Sequence, residues 1–564
     1  KQFWLKPNEL KAFVMAGDGG SREAFFVCAD LKLRADGTVH VLELGDGHTS
    51  AFTGAGAFIP RRFQELGFRK RSLDPWLDTI IENKILTHDA FVHAGLASLR
   101  PATGCFEMCY SEDLASHVCA QVGDGPFVLK LSARQRSCGV VIVDANGLSK
   151  VLCSLLGSES QEDARRTSCD VGDTPRGWAD AAQSAAVLSG FDEAVAHWRA
   201  DEHGTFLVEA LCLSKWVSGP GGKLYDATLR VAFAIESPGE DRRGVGLHVV
   251  GSYWKLPDHA ADALDVGAAE RIISHTRGGS GTALCDVGEE QLVWSVLEKA
   301  LPRVLSGIGC DIVPHLVGCY EDRPLLLAAA LVRASGALLD SSADISQDAL
   351  SQAEAALLHL RPPPSACQRG SRGTAPATRV QSYMLRAQGT RIARAGGSTI
   401  NWSSAARFYE EAVAMLPLSA GAQYLLGKVL FSKAAFGDAA QCFARSVLAD
   451  CDFSPAYSHL ATSCLLKGDP QACVDIAEAL ILRHGRLAAA YHHLAVGLYA
   501  QEAAFGGCCV ERRTRALTAL QRAREFQRAN SWGKEDDAML SALEGRCPVP
   551  PVPVRTWLFH AWRM

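Results

Sequence analysis

Along residues 29–47, ADLKLRADGTVHVLELGDG, leucine and valine alternate with polar residues on either side of Asp36-Gly37. An Asp-Gly pair between two runs of period two predicts a hairpin with a two-residue turn. With those two residues as the loop, Ala35 pairs with Thr38, and counting outward sets Asp30 opposite Glu43. Facing residues carry their Cβ atoms roughly 5 Å apart on one side of the sheet, so two carboxylates there repel unless a positive charge lies between them. A register slipped by one, or strand ends that fray into water, would remove the conflict.

The same alternation recurs downstream. PFVLKLSARQRSCGVVIVD (126–144) predicts a strand, a polar loop ending in Gly139 and a second strand, with Lys130 at the end of the first. GTFLVEALC (204–212) is a strand with Glu209 near its end. YDATLRVAFAI (225–235) is another, and its Arg230 sits among apolar neighbours where it needs an anionic partner, Asp226 being one candidate. VVGSYWKLP (249–257) and RIISHTRGGSG (271–281) follow, while the stretch between Leu156 and His203 has the polar, helical character of an insertion. Residues 361–379, RPPPSACQRGSRGTAPATR, have a linker composition. Beyond it the chain is helical in pattern, and Leu426-Gly427, Leu460-Ala461 and Leu494-Ala495 recur every 34 residues, as do Ala422, Ala456 and Ala490. Small residues at fixed places let paired helices stack closely.

Composition narrows the classes. With 564 residues the chain has room for about three or four domains. A net charge of −5 without a basic cluster argues against nucleic acid, and no apolar run reaches membrane-spanning length. The 19 cysteines are odd in number and dispersed, with only Cys105/Cys109 and Cys508/Cys509 close together. That fits free thiols in a reducing, cytoplasmic setting better than a disulfide framework. The chain starts at Lys1, which leaves open a leader already removed.

The repeat pattern resembles the tetratricopeptide repeat, in which a Leu-Gly pair is followed by Ala, an aromatic and Pro. AQYLLGKVLFSKAAFGDAAQCFARSVLADCDFSP (422–455) is the best copy. The likeness covers roughly 380–530, with three clear repeats, a weaker first one and a closing helix. It implies a groove for a protein or peptide partner, or an array that buttresses the neighbouring domain. The tail CPVPPVPVRTW (547–557) can only be extended.

The first half resembles the ATP-grasp superfamily, in the branch of glutathione synthetase and the peptide-glutamate ligases. The likeness lies in order: Lys130, Val208-Glu209, Arg230, ISHTRGGSG, then CDVGEEQLVWSVLEKAL, with Ser274 standing where the family has asparagine. Together the resemblances imply an α+β ATP-grasp domain over 1–340, a helix and linker over 341–379, an all-α tetratricopeptide-repeat solenoid over 380–535 and a Pro-rich tail over 536–564. The activity implied is that of an ATP- and Mg²⁺-dependent carboxylate ligase working through an acyl-phosphate, its repeats recruiting a protein or peptide substrate. By the same resemblance Lys130 and Arg136 hold phosphates, and Glu209 and Leu211 line the adenine and ribose pocket. Arg230, Lys255 and Arg271 face the transferred phosphoryl and the carboxylate.

The family's metal hairpin, an Asp followed by Glu-x-Asn, is not where it is expected. GCDIVPHLVGCYEDRPLLLAAALVRASG (309–336) offers Asp311, but LLLAAAL at the Glu-x-Asn place has no hard oxygen ligand for Mg²⁺. A circular permutation would move that hairpin to the opening stretch, with Asp30 and Glu43 as ligands and Asp46, or His48, replacing the asparagine. A non-catalytic nucleotide-binding scaffold and a coincidental hairpin are the competing readings. Whether Asp30 and Glu43 lie beside Lys130 in space separates them.

Overall fold

The computed structural model describes residues 22–46, 54–70, 75–133, 138–157, 185–186, 190–236, 246–263, 271–272, 281–306, 312–335, 347–359, 375–394, 402–485, 487–504, 509–526 and 534–544. It divides into two compact units, Lys1–Val380 and Gln381–Met564.

In chain order the strands of the first unit are β1 (Arg22–Leu33), β2 (Val39–Asp46), β3 (Phe68–Lys70), β4 (Thr103–Glu107), β5 (Phe127–Leu131), β6 (Val141–Val143), β7 (Ala185–Ala186), β8 (Thr205–Ala210), β9 (Trp216–Ser218), β10 (Leu224–Asp226), β11 (Thr228–Glu236), β12 (Gly246–Lys255) and β13 (Thr282–Leu284). Its helices are α1 (Ile59–Glu65), α2 (Pro75–Glu82), α3 (Lys84–His93), α4 (Leu114–Val122), α5 (Ala145–Leu156), α6 (Phe191–Arg199), α7 (Val287–Ser306), α8 (Ile312–Tyr320), α9 (Pro324–Ala334) and α10 (Gln347–His359). One sheet runs β13-β12-β11-β1-β2 with antiparallel neighbours, and β3 joins β1 in parallel. A second antiparallel sheet runs β4-β8-β5-β6-β7, and β9 and β10 form a ribbon.

Strand alternation sorts the larger sheet into two faces. Phe25, Val27, Ala29 and Leu31 of β1 share a core with Leu229, Val231 and Phe233 of β11 and with Val293, Leu297 and Leu301 of α7. The alternate residues Ala24, Phe26 and Cys28 pack with Ile59 and Phe63 of α1. Fully burying each large side chain contributes about 1.5–3 kcal/mol, so this pattern pins the register. At Asp30 the second face turns from apolar to charged. In the smaller sheet Phe127, Leu129 and Leu131 of β5 and Phe206 and Val208 of β8 pack against α4, α5 and α6. Period two then places Lys130 and Glu209 on the opposite face.

Three expectations change here. The hairpin tip holds three loop residues rather than two: Leu33 pairs with Val39, Arg34 N–H donates to Thr38 O at 2.9 Å, and Gly37 takes φ +84°. A β-bulge at Leu42 then shifts the ladder by one and restores the pairing of Asp30 with Glu43. The end of the stretch read as an insertion belongs to the core, because Trp198 of α6 is buried and its ring N–H donates to Gly139 O at 2.7 Å. Within 309–336, residues 312–320 and 324–334 are helical, the second helix being an almost wholly buried apolar one. None of the described residues of that range is in a strand, and Asp311 lies outside the described residues.

The second unit continues α11 (Pro376–Arg394), which starts in the first unit, through α12 (Ala406–Met415), α13 (Ala420–Ser432), α14 (Phe436–Ala449), α15 (Ser454–Lys467), α16 (Pro470–His484), α17 (Ala488–Ala504), α18 (Val510–Phe526) and α19 (Lys534–Leu543). Helices α13, α15 and α17 begin at 420, 454 and 488, a spacing of 34 residues, so this part is an all-α tetratricopeptide-like array. The last residues of the expected linker are helical. Arg379 is buried there and donates to the carbonyls of Trp198, Arg199 and Asp201 at 3.1, 3.0 and 2.7 Å.

Close helix packing explains the Leu-Gly position. A Cβ on Gly427 would lie 2.6 Å from the buried ring of Phe443. Gly427→Leu is expected to destabilise the array by about 1–3 kcal/mol, read as a lower urea midpoint. An unchanged midpoint would show that the two helices do not pack this tightly.

Candidate functional site

The charged face of the larger sheet is organised around Asp30. Nε and Nη2 of Arg230, on the neighbouring strand β11, donate to Asp30 Oδ1 and Oδ2 at 2.7 and 2.8 Å. Nζ of Lys255, at the end of β12, donates to Oδ2 at 3.0 Å. Burial opposes the ionisation of Asp30, but Arg230 and Lys255 outweigh it and hold the carboxyl well below the usual aspartate range. Burial and the neighbouring Arg230 push the Lys255 ammonium down, and Asp30 and Glu43 offset this only in part. Glu43, facing Asp30 across the ladder, has Lys84 Nζ 3.9 Å from its Oε2.

On the smaller sheet Lys130 Nζ donates to Glu209 Oε2 at 2.5 Å. Arg100, just ahead of β4, joins the two sheets. Its Nη2 donates to Glu209 Oε1 at 2.7 Å, and its Nη1 donates to Val41 O and Leu42 O at 2.8 and 2.6 Å. Those are the carbonyls at the β2 bulge, where the ladder to β1 is interrupted. Burial raises the Glu209 carboxyl, yet Lys130 and Arg100 outweigh it and the net shift is downward. A second tie is the Lys84 N–H, which donates to Ser132 O at 2.7 Å, just past β5. Lys32 completes the group through Asp226 Oδ1 at 3.0 Å.

These residues carry more positive than negative charge. Lys32, Lys84, Arg100, Lys130, Arg230 and Lys255, all six buried, stand against four carboxylates, Asp30, Glu43, Glu209 and Asp226. Setting the buried Glu82 against them as well still leaves one positive charge over. Beside Arg100 and Glu209, burial and the arginine push the His88 imidazole down to about 4, and its Nδ1 has no hydrogen-bond partner. A buried charge without a counter-charge costs several kcal/mol. The chemistry that fits this arrangement is an anion with several oxygens.

No family model matches the sequence, and no curated protein matches it. Among solved structures, the chain is similar to MamA (residues 41 to the end) from Desulfovibrio magneticus RS-1, at 15% identity over 32% of this chain and 92% of that one, with a TM-score of 0.25. It is similar to PilF of Pseudomonas aeruginosa at 13% identity over 43% and 99% of the two chains, TM-score 0.27. YrrB, described as a TPR protein with an unusual peptide-binding site, is 13% identical over 32% and 91%, TM-score 0.22. At these TM-scores the likenesses carry no functional argument. The repeat character rests on the helix spacing itself.

The sequence-derived residues come together only in part. Lys130, Glu209, Arg230, Lys255, Asp30 and Glu43 belong to one linked cluster. Arg230 pairs with Asp30, leaving Asp226 to Lys32. Mg²⁺ does not fit Asp30 as it stands, because both carboxylate oxygens already accept from Arg230 and Lys255, and the ion needs those lone pairs. Position 46 falls opposite Val27, on the other face of the sheet from position 43. Arg271 donates to Ala261 O at 3.4 Å, and the Leu211 N–H donates to Pro126 O at 2.8 Å. Arg136 lies outside the described residues. Arg100, Lys84 and Lys32 were missed. Lys84 alone carried a local hint, the Asn83 cap whose Oδ1 accepts from the Ile85 and Leu86 N–H groups.

Replacing Arg100 with Met removes three bonds at once and leaves the bulge carbonyls unpaired. A loss of about 3–5 kcal/mol in unfolding free energy is expected, with Arg100→Lys restoring only part because an ammonium lacks the guanidinium fork. A loss under about 1 kcal/mol, typical of an exposed pair, would contradict the assignment. A second expectation concerns acid. The folded carboxyl of Asp30 lies below its unfolded value, so its contribution is present above about pH 4 and is lost as pH falls toward the folded value. Melting temperatures between pH 6 and 2 should fall less steeply in Asp30→Asn than in the wild type, and equal slopes would contradict the pairing.

Proposed function

We propose that the first unit is a nucleotide-binding module that receives the phosphates of ATP between its two sheets, and that the repeat array recruits a protein or peptide partner. The observation that carries the first half is the excess of positive charge among the described residues of the cluster where the sheets meet. Lys130 lies at the end of β5, as expected of a phosphate-binding lysine, and Arg230 and Lys255 stand ready on the larger sheet. Lys130, Arg230 and Lys255 are buried, and lower dielectric strengthens each contact with a phosphate oxygen.

The second half draws on the helix faces of the array. Tyr424 and Lys428 of α13 and His459 of α15 form a connected group with Trp402. Lys428 Nζ lies 4.1 Å from the Trp402 ring centre, and the Tyr424 and His459 rings are 5.1 Å apart. Partly buried aromatics beside a cation suit a peptide that presents both apolar and acidic side chains.

A second reading keeps the ATP-grasp resemblance whole: an ATP-dependent carboxylate ligase forming a C–N bond. It is favoured by the order Lys130, Glu209, Arg230 and Lys255 across two antiparallel sheets. In that reading Arg230 and Lys255 would orient a carboxylate substrate. The misfit of Mg²⁺ at Asp30 weighs against it, so we place nucleotide binding ahead of ligation.

Calorimetric titration of the full chain with a β,γ-imido analogue of ATP tests the module directly. Lys130→Ala should weaken binding at least about tenfold, or about 1.4 kcal/mol. If the wild type binds nothing, or the variant binds equally well, the nucleotide reading fails. Steady ADP release from ATP itself, supplied in place of the analogue with a carboxylate and an amine, would move the ligase reading to the front.

A further inference from the structure

A nucleotide whose phosphates reach Lys130 also needs a surface for its base, and the ribbon of β9 and β10 supplies one. Val217 and its ladder partner Tyr225 pack into the core that α7 covers, and Lys215 pairs with Glu289 of that helix. Alternation then turns Trp216, with Leu224 and Asp226 on the facing strand, to the opposite face. That face is the one carrying Asp30 and Lys32 on β1, since Lys32 Nζ donates to Asp226 Oδ1 at 3.0 Å and to Asp226 O at 3.2 Å. The Ser214 N–H, donating to Asp226 Oδ1 at 2.6 Å, fixes the approach to β9 from the same side.

Burial distinguishes the two ends of this face. Lys32 and Asp226 are buried, whereas Trp216, directly opposite Asp226, is 56% exposed. Among the described residues no other Trp or Phe is as exposed. Leu224 on the same face and Leu213, three residues ahead in the chain, are exposed too. A flat aromatic surface with apolar neighbours gains by covering itself with another ring. At the closed end, burial pushes the Lys32 ammonium down, Asp226 offsets this in part, and Lys130 of the smaller sheet adds to the downward shift. Lys32 thereby links the ribbon of the indole to the lysine that the nucleotide reading assigns to phosphate.

We propose that Trp216 is the platform on which the nucleobase stacks, the phosphates running inward past Lys32 to Lys130. The inference rests on the nucleotide reading above and deepens it by giving the base a residue. Stacking uses the π-face that every base offers, so Trp216 holds the nucleoside end without selecting among bases by hydrogen bonds. The stack leaves the ion pairs at Asp226 and Asp30 as they are.

The test is a titration of the full chain with the β,γ-imido analogue of ATP and with inorganic tripolyphosphate, in the wild type, Trp216→Ala and Trp216→Phe. An exposed side chain is replaced in both variants, so the fold should tolerate them. Trp216→Ala should weaken the analogue about tenfold, or about 1.4 kcal/mol, and leave tripolyphosphate within about twofold. Trp216→Phe keeps a ring and should recover most of the loss. Unchanged affinity for the analogue in Trp216→Ala would overturn the inference while leaving nucleotide binding intact. Equal weakening of both probes, or no recovery with phenylalanine, would overturn it as well, because the side chain would then act through the fold or the phosphate contacts. If the wild type does not bind the analogue, the nucleotide reading fails and takes this inference with it.

Discussion

The Arg100 guanidinium holds together three things the site needs at once. It caps the bulge carbonyls of β2, it neutralises Glu209 on β8, and it thereby fixes the distance between two sheets that otherwise have separate cores. The bulge it supports is the irregularity that returns Asp30 and Glu43 to facing positions after a three-residue hairpin tip has put the strands out of step. Without that clamp Lys84, through Ser132 O and Glu43, would be the other tie described between the two sheets. The charged cluster is thus a product of one well-placed fork of donors, with strand alternation supplying the rest.

The cluster also shows why buried ion pairs suit a binding site better than a stability device. Desolvating a charge is costly, and pairing it restores much of that cost without gaining much beyond it. Asp30, Arg230 and Lys255 form an arrangement that persists because removing any one member strands the others. The apolar half of the same sheet face, from Ala24 to Cys28, packs β1 against α1 beside the charged cluster.

Much of this could be read from the chain, and the failures have physical causes. Period-two patterns located β5, β8, β11 and β12 and the lysine, glutamate and arginine on them, because alternation is a local property. The Asp30–Glu43 pairing was reached through a two-residue turn that is not there, two one-residue errors cancelling at the bulge. The partner of Arg230 was not legible: Asp226 was close in sequence, whereas Asp30 lies 200 positions away and meets it only through the sheet. Arg100 gave no signal at all, since a lone arginine before a proline has no periodicity to betray its burial. Residues 309–336 were compared with a strand hairpin because the resemblance puts the family's metal hairpin there, and an apolar run without a polar face does not distinguish a buried strand from a buried helix. The 34-residue period, by contrast, survives into helix starts at 420, 454 and 488, because stacking depends on neighbouring repeats alone.

The central claim is that a polyanion binds where the two sheets meet, and amide hydrogen exchange with and without the β,γ-imido ATP analogue locates that binding directly. The account requires slower exchange in peptides from β5, β8, β11 and β12, with the repeat array from 402 to 544 unchanged. Slowing confined to the repeats, or no slowing at a saturating concentration of the analogue, would contradict it.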